Sequence, residues 1–468
     1  MASPRGMGGG AASGLLLLGA AGLLAIHALA ALVFRVGPYA DGAWFDFALA
    51  VGRPFALVWR NYPARLTHYL IQYLPAQLLL RAGAPLGAAL FLAHAIWQFA
   101  PLASLWLCWR LPPPHTRALA LAPAGYFVLA GLLTWAFPTE IWMLAAFAWP
   151  AFFALAYGRG RGAAALGAVL SIGVLLSYEA GVVLLPLLLW AAFGRKDEDG
   201  RPMRRAVMIG AVAGLAILGA AMALMKPSPQ IAADLKSNAA MLLNPFAALT
   251  APAVRKEALL VLLGLVLAPA ASGPPWLRPV ALGVLVAAGL LVALANFGDF
   301  AVSHYLARSV CLGVLALAML AMLWLRFRPP ASPPSMALRR MILAAAVLMA
   351  AAVTVENLRF ALVWRDHVQA IVAATDCARA PTPCTPGNVV GLPAAQDRST
   401  ARWGWGLPFR SLMLAPDLRQ ARLVRDGQNY ASPLDCASAK GLTWQGQRPP
   451  ALQSLAAGIC GTGPKLWP

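Results

Sequence analysis

Long apolar stretches recur between residues 14 and 357, and they constrain the fold of this chain more than any other feature. A helix of about 17–25 apolar residues is long enough to cross a bilayer. Of the 468 residues, 60% are hydrophobic and only 12% are charged, whereas soluble domains carry about 25% charged residues. The sequence therefore predicts an all-α polytopic membrane protein.

The apolar pattern divides the chain into two domains. A transmembrane domain is predicted over residues 1–357, and a soluble domain over 358–468, where the long apolar runs stop. The run from Leu15 to Phe34 is followed by no convincing cleavage site, so we interpret it as a retained first helix rather than a removed signal. Eleven spans are predicted, over residues 14–34, 86–109, 118–136, 141–157, 163–177, 180–194, 206–225, 257–273, 279–297, 306–326 and 341–357.

Residues 66–80 form a further, more polar stretch, and its interpretation decides the topology. If it is an interfacial helix rather than a crossing, all the basic clusters fall on one side, which is cytoplasmic by the positive-inside rule. The N-terminus is then cytoplasmic and the C-terminal domain periplasmic. The Ala-, Gly- and Arg-rich composition indicates a high-GC bacterium, and hence a bacterial inner membrane. The clusters are Arg110 with Arg117, Arg159 with Arg161, Arg195–Arg205, which we interpret as a solvated topology anchor, and Arg326–Arg340.

The net charge of +20 is explained by the Lys and Arg that accumulate in the predicted cytoplasmic loops, and no nucleic-acid partner is expected. The acidic residues of the transmembrane domain show the opposite bias. A carboxylate at the edge of a bilayer is costly unless it has partners or a function. Since Lys and Arg alone determine the orientation, the one-sidedness of the acids is an independent observation, and it predicts an outward-facing site reached from the lipid phase. Apart from the run 196–199, the acids are Asp41, Asp46, Glu140, Glu179, Asp234, Glu257, Asp299 and Glu356.

Cysteines separate the two domains in a second way. Cys108 and Cys311 lie within predicted spans, where they are expected to be small core residues. The other four are all in the C-terminal domain, where an even number in an extracytoplasmic setting predicts two disulfides, with three pairings open. These are Cys377, Cys384, Cys436 and Cys460.

The first outer loop, residues 35–85, carries the strongest candidate site residues. Asp41 and Asp46 follow the first span directly, and one could act as a general base while the other is structural. The alternative is an interfacial amphipathic helix with solvated acids.

Basic residues near the outer side are candidates for binding a phosphate, since guanidinium binds phosphate through two hydrogen bonds. The alternative for each is snorkelling to lipid headgroups. They are Arg53, Arg60, Arg65 and Arg308. His68 and His304 are interpreted as hydrogen-bonded interface residues rather than catalysts.

Several short motifs occur in a characteristic order and on the same side. They are Tyr39-x-Asp41 after the first span, Tyr62-Pro63 through His68-Tyr69-Leu70, Ala122-Pro123 running to Pro138-Thr139-Glu140, Leu176 to Glu179, and His304-Tyr305-Leu306-Ala307-Arg308. In this order and sidedness residues 14–330 resemble the GT-C superfamily of membrane glycosyltransferases. The chain departs from that pattern where Gly42 follows Asp41, where Glu140 stands for a common Asp, and where Arg308 follows Tyr305.

The resemblance implies an enzyme that transfers a hexose or pentose from a polyprenyl-phosphate donor to a lipid-linked glycan or exported polymer. It implies a catalytic role for Asp41, Asp46 and Glu140, with Asp41 the leading base, and a donor-phosphate role for the four arginines. Glu179, His68, His304 and Tyr305 are further candidates. A divalent metal held by Asp41, Glu140 and Glu179 is possible, although no sequence feature requires one.

Two other functions involve the same lipids. One is a transporter or flippase of lipid-linked sugars, which would need polar residues along a path through the spans. The other is a polymerase or ligase of surface polysaccharide. A non-enzymatic assembly protein is a third alternative, in which the C-terminal domain would matter more than Asp41.

Overall fold

The computed structural model describes residues 7–34, 41–50, 65–135 and 139–224, single helical positions between 312 and 358, and three short strands near the C-terminus. The described part is mostly helical. The spans predicted over 257–273 and 279–297 lie outside it, as do Asp234, Glu257, Asp299 and Glu356.

Nine α-helices with continuous bounds lie in the described ranges between residues 7 and 224. Three of them are preceded by a non-α helical segment, namely a π-helical turn over His68–Tyr73 and 3-10 helices over Pro114–Ala120 and Glu179–Leu184. The α-helices are α1 Met7–Val33, α2 Asp41–Ala50, α3 Leu74–Arg81, α4 Leu86–Arg110, α5 Leu121–Trp135, α6 Thr139–Tyr157, α7 Gly160–Ser177, α8 Leu185–Phe193 and α9 Gly200–Leu224.

Four helices in the described ranges are long and apolar enough to cross a membrane: Ser13–Val33, Leu86–Arg110, Gly160–Ser177 and Gly200–Ala221. They coincide with four of the predicted spans. The span predicted over 180–194 is not one α-helix, because its first turns form a 3-10 helix and only Leu185–Phe193 is α-helical. Pro186 in the first turn of α8 favours a helix start at that point.

Helix α6 lies at the centre of the bundle, where its residues 141–157 are almost all buried. It packs against α4, α7 and α8. Trp149, Phe152 and Phe153 are fully buried, and their rings meet edge to face at centroid distances of 6.1–6.5 Å. Cys108 is buried in the same core, as predicted.

Glycines bring α7 and α9 into close contact. A Cβ on Gly210 would lie 2.7 Å from the carbonyl oxygen of Ala168, and a Cβ on Gly214 would lie 2.6 Å from Leu175 Cδ1. Small residues let helix backbones approach where lipid supplies no hydrophobic driving force between helices. The spacing of Gly210 and Gly214 therefore explains why these two helices pair.

Single helical positions between 312 and 326 and between 344 and 358 coincide with the last two predicted spans. Leu315, Met319 and Leu323 are buried in the α6 core. Thr354 lies 3.1 Å from Nε2 of His27 on α1, so this contact ties the first helix to a late segment of the chain.

The described residues of the C-terminal region form a three-stranded sheet in the order β1-β2-β3. Strands β1 Val389–Leu392 and β2 Arg422–Arg425 are parallel, whereas β2 and β3 Gln428–Tyr430 are antiparallel. Asp426 and Gly427 separate β2 from β3 in the sequence, a pair that favours tight hairpins.

The α6–α7 hairpin gives the bundle two distinct ends. Its turn contains Gly158 and Gly160, and Gly160 has a φ of +73°. The end of the bundle that this turn marks also holds the α8–α9 loop and the C-terminus of α4. We name it the basic end, after Arg110, Arg117, Arg159 and Arg195. The opposite end holds the N-termini of α2 and α6 and the start of the 3-10 helix before α8. We name it the acidic end, after Asp41, Asp46, Glu140 and Glu179.

Arg195 at the basic end is buried, so the interpretation of Arg195–Arg205 as a solvated anchor is wrong at this residue. Its guanidinium donates to the carbonyl oxygens of Leu155, at 3.2 Å, and Gly158, at 2.8 Å. It also donates to both carboxylate oxygens of Asp197, at 2.8 and 2.7 Å. These hydrogen bonds hold the pKa of Asp197 below its ordinary value. Arg195 thus satisfies carbonyls at the C-terminus of α6 that have no partner within the helix.

Candidate functional site

The helical stretch from Arg65 to Arg81 turns its polar side chains inward and its apolar side chains outward. His68, Tyr73 and Gln72 are fully buried, whereas Leu70 and Leu78 are 46% and 55% exposed. That arrangement is the reverse of a helix on a soluble protein, and it fits a helix with lipid on one side and a polar interior on the other. The sequence interpretation of an interfacial helix is compatible with it, but the buried polar side was not foreseen.

A π-helical turn helps to align this buried side. Over His68–Tyr73 the helix widens. Such π-turns occur mostly as single turns within α-helices, and frequently at functional sites. The imidazole Nδ1 of His68 lies 3.3 Å from Oε1 of Gln72, which agrees with its interpretation as a hydrogen-bonded residue.

Asp46 lies at the centre of the polar interior. Only 1% of it is exposed, which rules out the alternative of a solvated acid at this position. The hydroxyl of Tyr73 donates to Oδ1 at 3.0 Å, and Nε2 of His94 lies 2.9 Å from Oδ2. A carboxylate only accepts hydrogen bonds, so Nε2 of His94 is the donor. One side chain therefore joins α2, the π-turn and α4.

Phe45 strengthens the same junction. Its ring centroid lies 6.0 Å from that of His68 and 5.7 Å from that of Tyr73. Aromatic pairs at these separations stabilise a fold beyond the area they bury. Helix α2, although only ten residues long, is thus held by neighbouring polar and aromatic contacts.

Thr67, one residue before the π-turn, connects this helical stretch to the end of α7. Its hydroxyl donates to the carbonyl oxygen of Leu176 at 3.0 Å and lies 2.8 Å from the hydroxyl of Ser177. The guanidinium of the buried Arg65 lies 5.8 Å from the centre of the Tyr178 ring. The first loop therefore reaches the residue directly before Glu179.

Glu140 and Glu179 begin two segments that touch. A Cβ on Gly181 would lie 2.4 Å from the carbonyl oxygen of Val174 and 3.1 Å from Leu144 Cδ1. Leu144 follows Glu140 by one helical turn, and Gly181 follows Glu179 by two residues. The structure thus places the start of α6 beside the 3-10 helix that begins at Glu179.

The remaining predicted site residues are not brought together by the described part of the chain. Asp41 is the first residue of α2, but only its backbone is described. The residues outside the described ranges are Arg53, Arg60, His304, Tyr305, Arg308, Cys377, Cys384, Cys436 and Cys460. Their roles remain predictions.

His94 and Gln98 were missed by the sequence interpretation, because they lie within a long apolar stretch. Both fall on the same side of α4, one turn apart, and that spacing is the signal that could have revealed them. Within the described ranges, the buried amide nitrogens of Gln72 and Gln98 have no hydrogen-bond acceptor. A buried amide without an acceptor is destabilising, so a water or a ligand oxygen is expected at each.

The described part of this interior is a cluster of polar side chains around Asp46. Among the residues whose side chains are described, no group of three or more His, Cys, Asp and Glu could hold a metal ion. The side chains of Asp41, Glu140 and Glu179 are not in that set.

The apolar helices and the inward polar side of residues 65–81 together define a mostly helical, multi-pass membrane protein. No protein-family model, curated protein or solved structure matches the chain.

Proposed function

We propose that the protein is a membrane glycosyltransferase that moves a sugar from a polyprenyl-phosphate donor to a lipid-linked glycan or an exported polymer. One observation carries the proposal, namely the polar interior around Asp46 bordered by a helix whose other side exposes Leu70, Ile71 and Leu78. A substrate with a sugar, a phosphate and a long apolar tail needs both environments side by side.

The proposal assigns different roles to the two aspartates of α2. Both carboxylate oxygens of Asp46 already accept hydrogen bonds, so Asp46 serves to hold the helix in place. Asp41 lies about 7.5 Å further along the same axis, and it is the proposed general base. It takes the proton of the acceptor hydroxyl while the bond between the sugar and the lipid phosphate breaks.

Positive charge is needed where the lipid phosphate departs. Arg65 is the described candidate, since its guanidinium is held near Tyr178 at the acidic end. Arg53, Arg60 and Arg308 are the other proposed phosphate ligands, and Glu140 is the second catalytic acid. A divalent cation, if one binds, would be held by the oxygen ligands of Asp41, Glu140 and Glu179.

The topology of the proposed enzyme has eleven spans, a cytoplasmic N-terminus and a periplasmic domain from residue 358 onwards. Cys377, Cys384, Cys436 and Cys460 would form two disulfides there. The acidic end then faces the periplasm and the basic end the cytoplasm. This orientation rests on the positive-inside rule and on the separation of the acidic and basic clusters between the two ends.

A transporter of lipid-linked sugars is the second candidate, and one observation favours it. His94 and Gln98 are polar residues within the apolar helix α4, and polar residues inside spans often line a transport path. Transport needs two separated compartments, whereas glycosyl transfer does not.

The test begins with cells that lack the protein, in which surface glycans are compared by mass spectrometry. The strain is complemented with wild type, Asp41→Asn, or Glu198→Gln, an exposed acid at the basic end that serves as the control. The proposal expects a missing sugar that wild type and Glu198→Gln restore and Asp41→Asn does not. Glycans unchanged by the deletion would overturn it.

A second experiment separates the enzyme from the transporter. The purified protein in detergent is mixed with the cell's own extracted lipid-linked sugars and acceptors. Transfer in detergent, where no compartments exist, supports the enzyme. A protein that restores the glycan in cells but transfers nothing in detergent would favour the transporter.

A further inference from the structure

Two arginines at the basic end are stacked on tryptophans of α4. The guanidinium carbon of Arg110 lies 5.8 Å from the centre of the Trp106 ring, and that of Arg117 lies 5.4 Å from the centre of the Trp109 ring. Trp106 and Trp109 are three residues apart and therefore neighbours on the helix surface, at about 5–6 Å between their Cβ atoms. Both guanidinium groups thus lie against tryptophans near the C-terminus of a helix long enough to span a membrane.

The segment between the arginines is rigid. Pro112, Pro113 and Pro114 follow α4 directly, and proline restricts its own backbone and that of the residue before it. The backbone nitrogen and the hydroxyl of Thr116 both donate to the carbonyl oxygen of Pro113, at 2.9 Å each. Arg117 follows this turn immediately, so the turn restricts the backbone that carries its side chain.

These arginines differ from Arg195 at the same end in what they bind. The guanidinium of Arg195 donates its hydrogen bonds to backbone carbonyls and to Asp197. In contrast, no carboxylate within the described ranges lies at ion-pair distance from Arg110 or Arg117. The Nε atom of Arg117 is buried and has no hydrogen-bond acceptor there. Two cations at the end of one helix, neither of them paired with a carboxylate whose position is described, favour a ligand that carries a negative charge and several acceptor oxygens.

We propose that Arg110, Arg117, Trp106 and Trp109 form a site for the phosphate of an anionic phospholipid. Trp106 is 59% exposed, and tryptophan is enriched where the headgroups meet the hydrocarbon. A phosphodiester at that depth receives hydrogen bonds from guanidinium groups, while its acyl chains run along α4, whose Phe91 is 57% exposed. The site is independent of the glycosyltransferase proposal and lies at the opposite end of the bundle.

The test compares phosphatidylglycerol with phosphatidylcholine of the same acyl chains. The purified protein is titrated with each lipid in detergent, and the bound lipid is counted by native mass spectrometry. Wild type is compared with the double variant Arg110→Gln/Arg117→Gln. The matched control is Arg159→Gln/Arg161→Gln, which removes the same charge from two exposed arginines at the same end. The thermal transitions of all three proteins are measured, so that loss of fold is not mistaken for loss of binding.

Wild type and the control are expected to prefer phosphatidylglycerol. The Arg110/Arg117 double variant should bind it about 25-fold more weakly, since each basic residue near an anionic lipid contributes about fivefold. Trp106→Leu should give a smaller loss, because the arginines remain. An equal loss in the control would mean a general charge effect and would overturn the site, as would equal binding of the two lipids by wild type.

A further arm adds soluble glycerol phosphate as a competitor. The proposal expects no displacement of the lipid, because the acyl chains contribute through Trp106 and α4. Displacement at equal concentration would show that the phosphate alone is recognised, and it would overturn the assignment to a membrane lipid.

Discussion

The acidic and basic ends of the bundle both bury a charged side chain, but they bind it in different ways. At the basic end, Arg195 donates to the backbone carbonyls of Leu155 and Gly158 as well as to Asp197. At the acidic end, the described donors to Asp46 are the side chains of Tyr73 and His94.

Backbone carbonyls at a helix C-terminus are fixed acceptors that every helix leaves unsatisfied. Arg195 supplies the missing donors and also complements the negative end of the helix dipole. A side-chain network is adaptable by comparison, and among the residues that the structure describes the one at the acidic end offers no acceptor to the buried amide nitrogens of Gln72 and Gln98. The comparison indicates that Arg195 stabilises the turn after α6, whereas the network around Asp46 retains capacity to bind a ligand.

The largest effect is expected from Arg195→Met. Removing the guanidinium leaves the buried carbonyls of Leu155 and Gly158 without their donor, and each buried group without a partner costs about 1–3 kcal/mol. The carboxylate of Asp197 is exposed, so water can replace the guanidinium there. The thermal transition in detergent should fall sharply. The control is Arg201→Met, since Arg201 is exposed in the first turn of α9. An equal transition for wild type and Arg195→Met would contradict the stabilising role of this end.

The next effect is expected from His94→Leu. Asp46 would lose a donor in a buried setting, where a hydrogen bond to a charged group contributes about 1.5–3 kcal/mol. Amide hydrogen exchange of residues 41–50 should rise, because α2 loses its bond to α4. Glycan restoration in the deletion strain should fall with it.

His94→Gln supplies the control for that experiment. Glutamine can still donate to Asp46, so exchange in α2 and glycan restoration should both stay closer to wild type. If His94→Leu and His94→Gln behave alike in both measurements, the hydrogen bond to Asp46 does not position α2.

Gly181→Ala should have an intermediate effect, about 1–3 kcal/mol of destabilisation as is typical of overpacking. The added Cβ would lie 2.4 Å from the carbonyl oxygen of Val174, so the segment after Glu179 must move. Glycan restoration by the variant should fall further below wild type than its lowered thermal transition alone explains. Gly219→Ala is the matched control, since no atom lies within 4 Å of its added Cβ. If the loss of activity is no greater than that of the control, the position of the segment after Glu179 does not matter for activity, and Glu179 is not part of the site.

The smallest effect concerns pH at the basic end. The pKa of Asp197 is lowered chiefly by its hydrogen bonds from Arg195. Its contribution to stability is present above the ordinary carboxyl pKa of about 4 and is lost as the pH falls through the lowered folded-state value. The difference in thermal transition between wild type and Asp197→Asn should therefore shrink in acid. A difference that is constant from neutral pH into acid would exclude the charged pair as its cause.

Helix positions were predicted well where apolar length alone determines the outcome. The spans at 86–109 and 163–177 correspond closely to α4 and α7, because a bilayer imposes the length of a crossing on the sequence. The stretch at 180–194 was predicted less well. Apolar length does not reveal that Gly181 is pressed against the backbone of α7, which accompanies the 3-10 start.

The candidate site was only partly predictable for the same reason. The clustering of Asp41, Asp46, Glu140 and Glu179 at one end could be inferred from alternating helices and charge bias. The partners of Asp46 could not, because Tyr73 and His94 are 27 and 48 residues away in the chain. In the same way, the sequence predicted a solvated Arg195, because nothing within residues 195–205 shows that the C-terminus of α6 lies beside Arg195.

The sequence by itself thus determined that the chain enters a membrane as helices, where they lie along the chain, and which charges gather at each end. Those properties depend on local hydrophobicity and on charge near the spans, and both are visible in the order of residues along the chain. Tertiary structure alone decided which charged groups are buried and what they bind. A buried carboxylate or guanidinium is stable only with specific partners, and in this protein those partners come from helices that meet only when the bundle packs.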